Sequence, residues 1–401
     1  MSQTSVIFVD DDASILSSMR RMLHPLRKEW NMRFAVSGAE ALEMMSKEKF
    51  DVIVSDMRMP EMNGAQLLAR AKSLYPGMAR LILSGHAERE LAVQTISVTH
   101  QFLNKPCSVE ELGETINQSI SLRHMLQKPE LCEMANSIVQ LPSKPASYAA
   151  IMEELGNDKP SIEKVTEIVE NDPAMTVTML RLVNSGFFGL GSRVGSVMEA
   201  IGLLGLELVK SLALSGVVFS KYDGQGTFSI EQFADRGINV ANLARQLASL
   251  KSISKNMIDE VFVAGMLCDI GLLAMHSLMR EKYQGIVDYA QGEHIPILEA
   301  EKKVLGATHA ELGAYLMALW GFDDHVIEAI AYHHHPEKAM PNQQPMPLDF
   351  VHIADSLIPS IADNPETSTL NTDFLASKGL SDHLSEWQKF ADILIGNAND
   401  A

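Results

Sequence analysis

Cysteine is scarce in this chain: Cys107, Cys132 and Cys268 are the only three in 401 residues, and no paired spacing links them. That excludes a disulfide framework and a CxxC-type zinc site, and it fits a reducing compartment. Basic residues are in deficit as well, with 33 Lys and Arg against 51 Asp and Glu, a formal net charge of −18. No segment gathers the cations into a patch. A surface so acidic repels phosphate backbones and anionic lipid, which argues against DNA binding through a basic recognition helix and against membrane attachment. No stretch reaches the ~18 uninterrupted apolar residues of a membrane span, and Val6 to Val9, running into three aspartates, is too short for the apolar region of a signal peptide. The expected location is the cytoplasm.

Glycine and proline, at 25 and 16 positions, are too few for a fibrous or low-complexity chain, and 46% hydrophobic residues suffice for a core throughout. At roughly 150 residues per domain the length predicts two or three globular units. From Ser5 to about Met125, short apolar runs alternate with amphipathic stretches. Val6–Val9, Phe34–Val36, Val52–Val54, Leu81–Leu83 and Phe102–Leu103 read as five parallel strands buried on both faces. Between them Ile15, Leu16, Met19, Met22 and Leu23 keep helical spacing, and Ser37-x-x-Glu40 and Ser108-x-x-Glu111 predict capping boxes. The fold class is therefore α/β plus all-α: a five-stranded parallel doubly wound unit over 1–125, then a helical unit over 146–361.

A linker is expected at 126–145, where Pro129, Pro142 and Pro145 punctuate the change, with its first part helical as a continuation of the preceding helix. Asp172-Pro173 and Ser196-x-x-Glu199 mark helix starts beyond it, and Tyr222 to Thr227 reads as a glycine-rich turn. Residues 362–401 form a helical or partly disordered extension. There is no internal repeat, and the 23 methionines are read as adaptable core packing.

Asp10, Asp11 and Asp12 follow the first strand, Asp56 the third, Ser84 ends the fourth and Lys105 follows the fifth, so all converge at the strands' carboxyl ends. Open α/β sheets bind ligands at that edge. Clustered carboxylates favour a hard divalent cation, most simply Mg²⁺, and the cation and Lys105 together would neutralise a phosphoryl group carried by a carboxylate. These residues, within Val9-Asp10-Asp11-Asp12, Ser55-Asp56-Met57-Arg58-Met59-Pro60-Glu61-Met62-Asn63-Gly64, Leu83-Ser84-Gly85-His86 and Lys105-Pro106, resemble a response-regulator receiver domain, a flavodoxin-like fold. The resemblance implies Asp56 as phosphoacceptor, and Mg²⁺ held by Asp10, Asp11, Asp56 and the Arg58 main-chain carbonyl. It also implies Ser84 as the switch hydroxyl, Lys105 as ion-pair partner and Phe102 as the switch aromatic.

In the helical half, Met266 to Gly271, His309-Ala310-Glu311-Leu312-Gly313, His333-His334-His335 and Ala354-Asp355 carry residues able to ligate a metal. Their order resembles the HD superfamily of metal-dependent phosphohydrolases, but Cys268 stands where a doublet histidine belongs and Arg236 lies near the place of another. Asp269, His309, His333, His334 and Asp355 remain as candidates for a degenerate site. Leu182-Val183-Asn184-Ser185-Gly186-Phe187-Phe188-Gly189, Ala200 to Gly205 and Ala331-Tyr332-His333-His334 more specifically resemble the HDOD domain, which implies an interaction module with no assured cofactor. The combined resemblance implies a two-component response regulator, phosphorylated by a sensor histidine kinase or phosphotransfer protein and acting on a downstream signalling protein. A cyclic-dinucleotide phosphodiesterase output is the alternative. A homodimer is left open.

Overall fold

A computed structural model of the chain describes residues 3–85, 95–138, 141–157, 159–185, 190, 193–215, 220–221, 228–251, 253–342, 344–360 and 369–399. His86, Gln140, the glycine-bearing stretches at 186–189 and 191–192, and the turn expected at 222–227 lie outside the described residues.

The five apolar runs become β1 (Thr4–Val9), β2 (Trp30–Ala35), β3 (Val52–Asp56), β4 (Ala79–Ser84) and β5 (Gln101–Asn104), all parallel in the order β2-β1-β3-β4-β5. Strand side chains alternate between faces, and both faces are buried. On one, Ile7, Val9, Ile53, Ile82 and Phe102 pack with residues of α2 (Gly38–Lys47) and α3 (Gly64–Leu74), such as Ala41, Leu67 and Leu68. On the other, Val6, Phe8, Val54, Leu81 and Leu103 meet Leu16 of α1 (Ala13–Met22) and Leu112 and Ile116 of α4 (Val109–Ser121). This second cluster continues without a break into the helical half.

Helix starts follow the capping signals only in part. Ser37 and Ser108 accept hydrogen bonds from Glu40 and Glu111 main-chain N–H groups, but the Glu40 carboxylate reaches back to Val36 N–H rather than completing the box at Ser37. The expected continuation of α4 does not form. Leu122–Met125 tightens into a 3₁₀ turn, and Lys128 is extended because Pro129, which opens α5 (Pro129–Ser137), disfavours a helical residue before it. Arg123 pins the turn to the sheet's base, donating to Asp51 Oδ1 at 2.7 Å and to Gly77 O at 2.9 Å.

The helical half runs through α6 (Pro145–Gly156), α7 (Ile162–Glu170), α8 (Pro173–Val183), α9 (Val197–Leu204), α10 (Leu206–Ser215), α11 (Ile230–Ser249), α12 (Lys255–Leu267), α13 (Ile270–Glu293), α14 (Ile297–Leu305), α15 (His309–Leu319), α16 (Asp324–Tyr332), α17 (Pro347–Leu357), α18 (Thr372–Ser377) and α19 (Leu384–Asn399). As expected, Asp172 caps α8 by accepting from Ala174 and Met175 N–H, with Pro173 at the first position. The unit is not wholly α: Pro142–Ser143 and Ser220–Lys221 form a two-residue parallel pair, too short to leave a β-type run in the sequence. Lys255–Glu293 is long and apolar enough to cross a membrane by composition, yet its most apolar stretch is 83% buried inside the fold, as a core helix is. Trp387 of α19 is buried too, so the extension packs against the helical unit.

Candidate functional sites

The sheet's register assembles the first site. Val9 lies opposite Ser55, Asp56 opposite Leu83 and Ser84 opposite Asn104, which brings Asp10, Asp56, Ser84 and Lys105 to one edge of neighbouring strands. Asp10 and Asp56 are buried, and one ammonium serves both: Lys105 Nζ donates to Asp10 Oδ2 at 2.7 Å and to Asp56 Oδ1. Arg58 N–H donates to Asp56 Oδ2 at 2.6 Å, and Asp12 N–H donates to Asp10 Oδ1 at 3.0 Å. Burial pushes the Asp56 carboxyl above its ordinary value against the pull of Lys105. Burial also works against the Lys105 ammonium, but the two carboxylates outweigh it and raise its pKa. Ser84 Oγ is buried without a hydrogen-bond partner among the described residues. Gly64 is required here, because a Cβ at that position would sit 2.3 Å from the Asp56 carbonyl oxygen.

The three N-terminal aspartates separate in role. Asp10 enters the site, Asp12 caps α1 by accepting from Ser14 N–H at 2.7 Å, and Asp11 is exposed on a cavity of about 430 Å³ shared with Arg58 and Met59. Two buried carboxylates sharing one ammonium, with a third at the rim, are a donor set that suits a hard cation such as Mg²⁺. Phe102 is buried beneath this edge.

The second site lies where α11, α13, α15, α16 and α17 converge. Arg236, from the buried face of α11, reaches Asp269 Oδ2 with one guanidinium nitrogen and Asp355 Oδ1 at 2.7 Å with another, while its Nε donates to Pro359 O at 3.0 Å. Cys268 and Asp269 occupy the junction between α12 and α13 rather than a helix interior. Gly271 allows this approach: a Cβ there would lie 2.0 Å from the His309 carbonyl oxygen. Asp269 Oδ1 faces His309 Nε2 at 3.4 Å and His333 Nε2 at 3.6 Å, and His309 Nε2 lies 3.0 Å from His334 Nε2.

Electrostatics divides the cluster. Burial opposes ionised Asp269, but Arg236 and the two histidines outweigh it and hold its carboxyl well below the carboxylate range. Burial pushes the Cys268 thiol well above its usual value. For His309, burial is overcome by Glu301 and Asp269, which hold the imidazole up to about 10, whereas burial and the neighbouring rings push His334 well below. Sequence reasoning missed Glu301, which is fully buried, with its carboxylate 3.0 Å from His309 Nδ1 and accepting from Tyr283 Oη at 2.6 Å. The available signal was a lone acid on the apolar face of α14, among Ile297, Ala300 and Leu305.

A model of the response regulator receiver domain matches residues 6–117, and a model of the HDOD domain matches residues 141–336. The chain is a receiver–HDOD response regulator. Over 116 residues it is 34% identical to the transcriptional regulatory protein GlrR of Escherichia coli strain K12, covering 29% of this chain and 26% of GlrR. Over 245 residues it is 23% identical to an uncharacterized protein of Treponema pallidum strain Nichols, covering 59% of this chain and 47% of that one. Among solved structures, the MmoQ response regulator of Methylococcus capsulatus strain Bath is 22% identical with a TM-score of 0.48, covering 62% of this chain and 98% of MmoQ. The chain thus spans between about a quarter and about half of these curated relatives. The acidic edge belongs to the receiver and the histidine cluster to the HDOD domain.

Proposed function

We propose that phosphorylation of Asp56 controls how the receiver holds the HDOD domain, and that the HDOD domain acts through protein interaction. One observation carries this reading. Gln101, the neighbour of Phe102 on β5, donates its amide to the carbonyl oxygens of Ala318 and Leu319, both at 3.2 Å, at the end of α15. Adjacent strand residues face opposite ways, so β5 presents Phe102 to the receiver core and Gln101 to the HDOD domain. Gln118 of α4 adds a bond to Phe322 O at 2.9 Å, and Arg181 of α8 returns one to Ile96 O at 3.1 Å.

In the transfer step an Asp56 oxygen attacks the phosphorus of a phosphohistidine from a sensor kinase or phosphotransfer protein. The P–N bond breaks, its electron pair stays on the imidazole, which takes a proton from solvent, and an acyl phosphate remains. Asp10, Asp11, Asp56 and the Arg58 carbonyl would hold Mg²⁺, which supplies charge neutralisation at the phosphoryl oxygens. Lys105 follows the new charge, and the unpartnered Ser84 hydroxyl gains an acceptor. Ser84 pairs with Asn104 in the β4–β5 register, so its movement is passed to the strand bearing Phe102 and Gln101. The double ion pair of Arg236 supports an output without phosphoester hydrolysis, and a cytoplasmic location suits transfer from a sensor histidine kinase or phosphotransfer protein.

Labelling by acetyl phosphate in Mg²⁺, followed by hydrogen exchange, tests the proposal. Wild type should take an acid-labile label that Asp56→Asn loses, and exchange should rise over 316–322. Equal labelling of Asp56→Asn, or exchange changes confined to the receiver, would overturn it.

A further inference from the structure

We infer that the histidine cluster of the HDOD domain is a closed site for one divalent transition-metal ion of the zinc class, ligated by Asp269 Oδ1 and the Nε2 atoms of His309, His333 and His334, and that the Arg236 guanidinium stands in place of a second cation. The inference goes beyond the receiver-centred function and does not depend on it.

Geometry supplies the first argument. Ligands about 2.0–2.1 Å from a tetrahedral ion lie roughly 3.3 Å from one another. The separations found are 3.0 Å between His309 and His334, 3.4 Å from His309 to Asp269 and 3.6 Å from His333 to Asp269. Each of the four residues offers one ligand atom within 4.8 Å of the others. The far side of two rings is already fixed: His309 Nδ1 lies 3.0 Å from the Glu301 carboxylate, and His333 Nδ1 donates to Ile330 O at 2.8 Å. Metal-bound histidines are oriented in this way, with the opposite ring nitrogen tied to a carboxylate or carbonyl. His333 Nε2 is left fully buried with no hydrogen-bond partner among the described residues and aims at Asp269. Three imidazoles and one carboxylate select a borderline ion over Mg²⁺.

Charge fixes the number of ions. Asp269, Asp355 and Glu301 carry three negative charges and Arg236 one positive, and all four side chains are buried. One divalent cation, displacing the proton of His309 as it binds, brings the site to neutrality. A second would leave two uncompensated positive charges in a buried pocket, at a prohibitive desolvation cost. Arg236 also occupies the space a second ion would need, since its nitrogens span Asp269 Oδ2 and Asp355 Oδ1. Glu301 is the positioning residue for His309.

The test uses full-length protein stripped with EDTA, returned to buffer with excess Mg²⁺ to fill the receiver, and titrated with Co²⁺. Wild type should bind one equivalent with the visible bands of tetrahedral Co²⁺, lose those bands on addition of Zn²⁺, and melt at a higher temperature when loaded. His309→Gln and His333→Gln should lose the bands, and Glu301→Gln should weaken binding about 10–100-fold. Arg236→Lys, which keeps the cation, should stay at one equivalent, whereas Arg236→His should bind two. Absence of bands in folded wild type, or their persistence in His333→Gln, would overturn the site. Two equivalents in wild type beyond the His333→Gln background, or a single equivalent in folded Arg236→His, would overturn the role given to Arg236. Wild-type stoichiometry decides the count even where an Arg236 variant does not fold.

Discussion

The Tyr315 hydroxyl donates a 2.8 Å hydrogen bond to the side-chain oxygen of Asn136, and both residues are buried. Asn136 lies on α5, the helix between the two domains, and Tyr315 on α15 of the HDOD domain. The Asn136 side-chain amide donates to Gly77 O at 2.8 Å, and the Asn136 main-chain carbonyl accepts from Arg80 at 2.7 Å and from His100 Nε2 at 2.9 Å. One side chain and its own carbonyl thus join the base of the receiver sheet to the HDOD core. The segment between the domains is a buried joint, and a stiff continuation of α4 is unnecessary for coupling.

Tyr315→Phe should therefore destabilise the protein by about 1–3 kcal/mol, because Asn136 Oδ1 is left buried without its donor. Asn136→Ala should cost more, since it removes the bonds to Tyr315 Oη and to Gly77 O together. Urea unfolding followed at probes in both domains checks this; a shift seen in only one domain would show that the joint does not couple them.

His100 gives stability a pH dependence of known sign. Burial first, then Arg80 and Arg181, push its pKa well below the ordinary 6.5. Its Nδ1 accepts from Arg80 N–H, so the neutral ring carries its proton on Nε2. Above the unfolded-state value both states are neutral and the stability is complete. As pH falls through 6.5, the unfolded chain takes up a proton that the folded chain refuses, and stability drops by up to ~1.4 kcal/mol per pH unit. His100→Gln should be less stable at neutral pH and lose stability less steeply on acidification. Melting curves from pH ~7.5 to ~5 compare the slopes, and equal slopes would contradict the assignment.

The strands and the acidic edge were legible in the sequence because parallel strands buried on both faces write themselves as short apolar runs, and the charged residues stand where those runs stop. What could not be read was whatever depends on approach between distant elements. Arg80, His100 and Asn136 look like ordinary polar residues until β4, β5 and α5 bring them together. Glu301 gains its meaning from His309. The break after Ser121 was masked by helix-forming composition, which the backbone restriction before Pro129 and the Arg123 contacts override.

Lys105→Ala should separate phosphorylation from its consequence. The carboxylate nucleophile stays in place, so labelling of Asp56 by acetyl phosphate should continue, but the cation that follows the phosphoryl charge is gone. Hydrogen exchange over 316–322 should then be the same with and without phosphate. A wild-type response in this variant would remove Lys105 from the signalling path.

Arg236 supplies the sharpest stability test, because its guanidinium is the shared partner of Asp269 and Asp355 and both carboxylates are buried. Removing one partner of a buried ion pair leaves charge without compensation, which costs about 3–5 kcal/mol. Arg236→Met in metal-free buffer should lose about that much. Arg236→Lys should lose less but remain below wild type, since a point charge cannot fork to two carboxylates as a planar guanidinium does. If the loss reflects stranded charge rather than lost packing, Asp269→Asn and Asp355→Asn added to Arg236→Met should recover most of it, because the amides need no counterion. Urea midpoints of the single and triple variants decide the matter. A triple variant no more stable than Arg236→Met would assign the role of Arg236 to packing of its stem between α11 and α17.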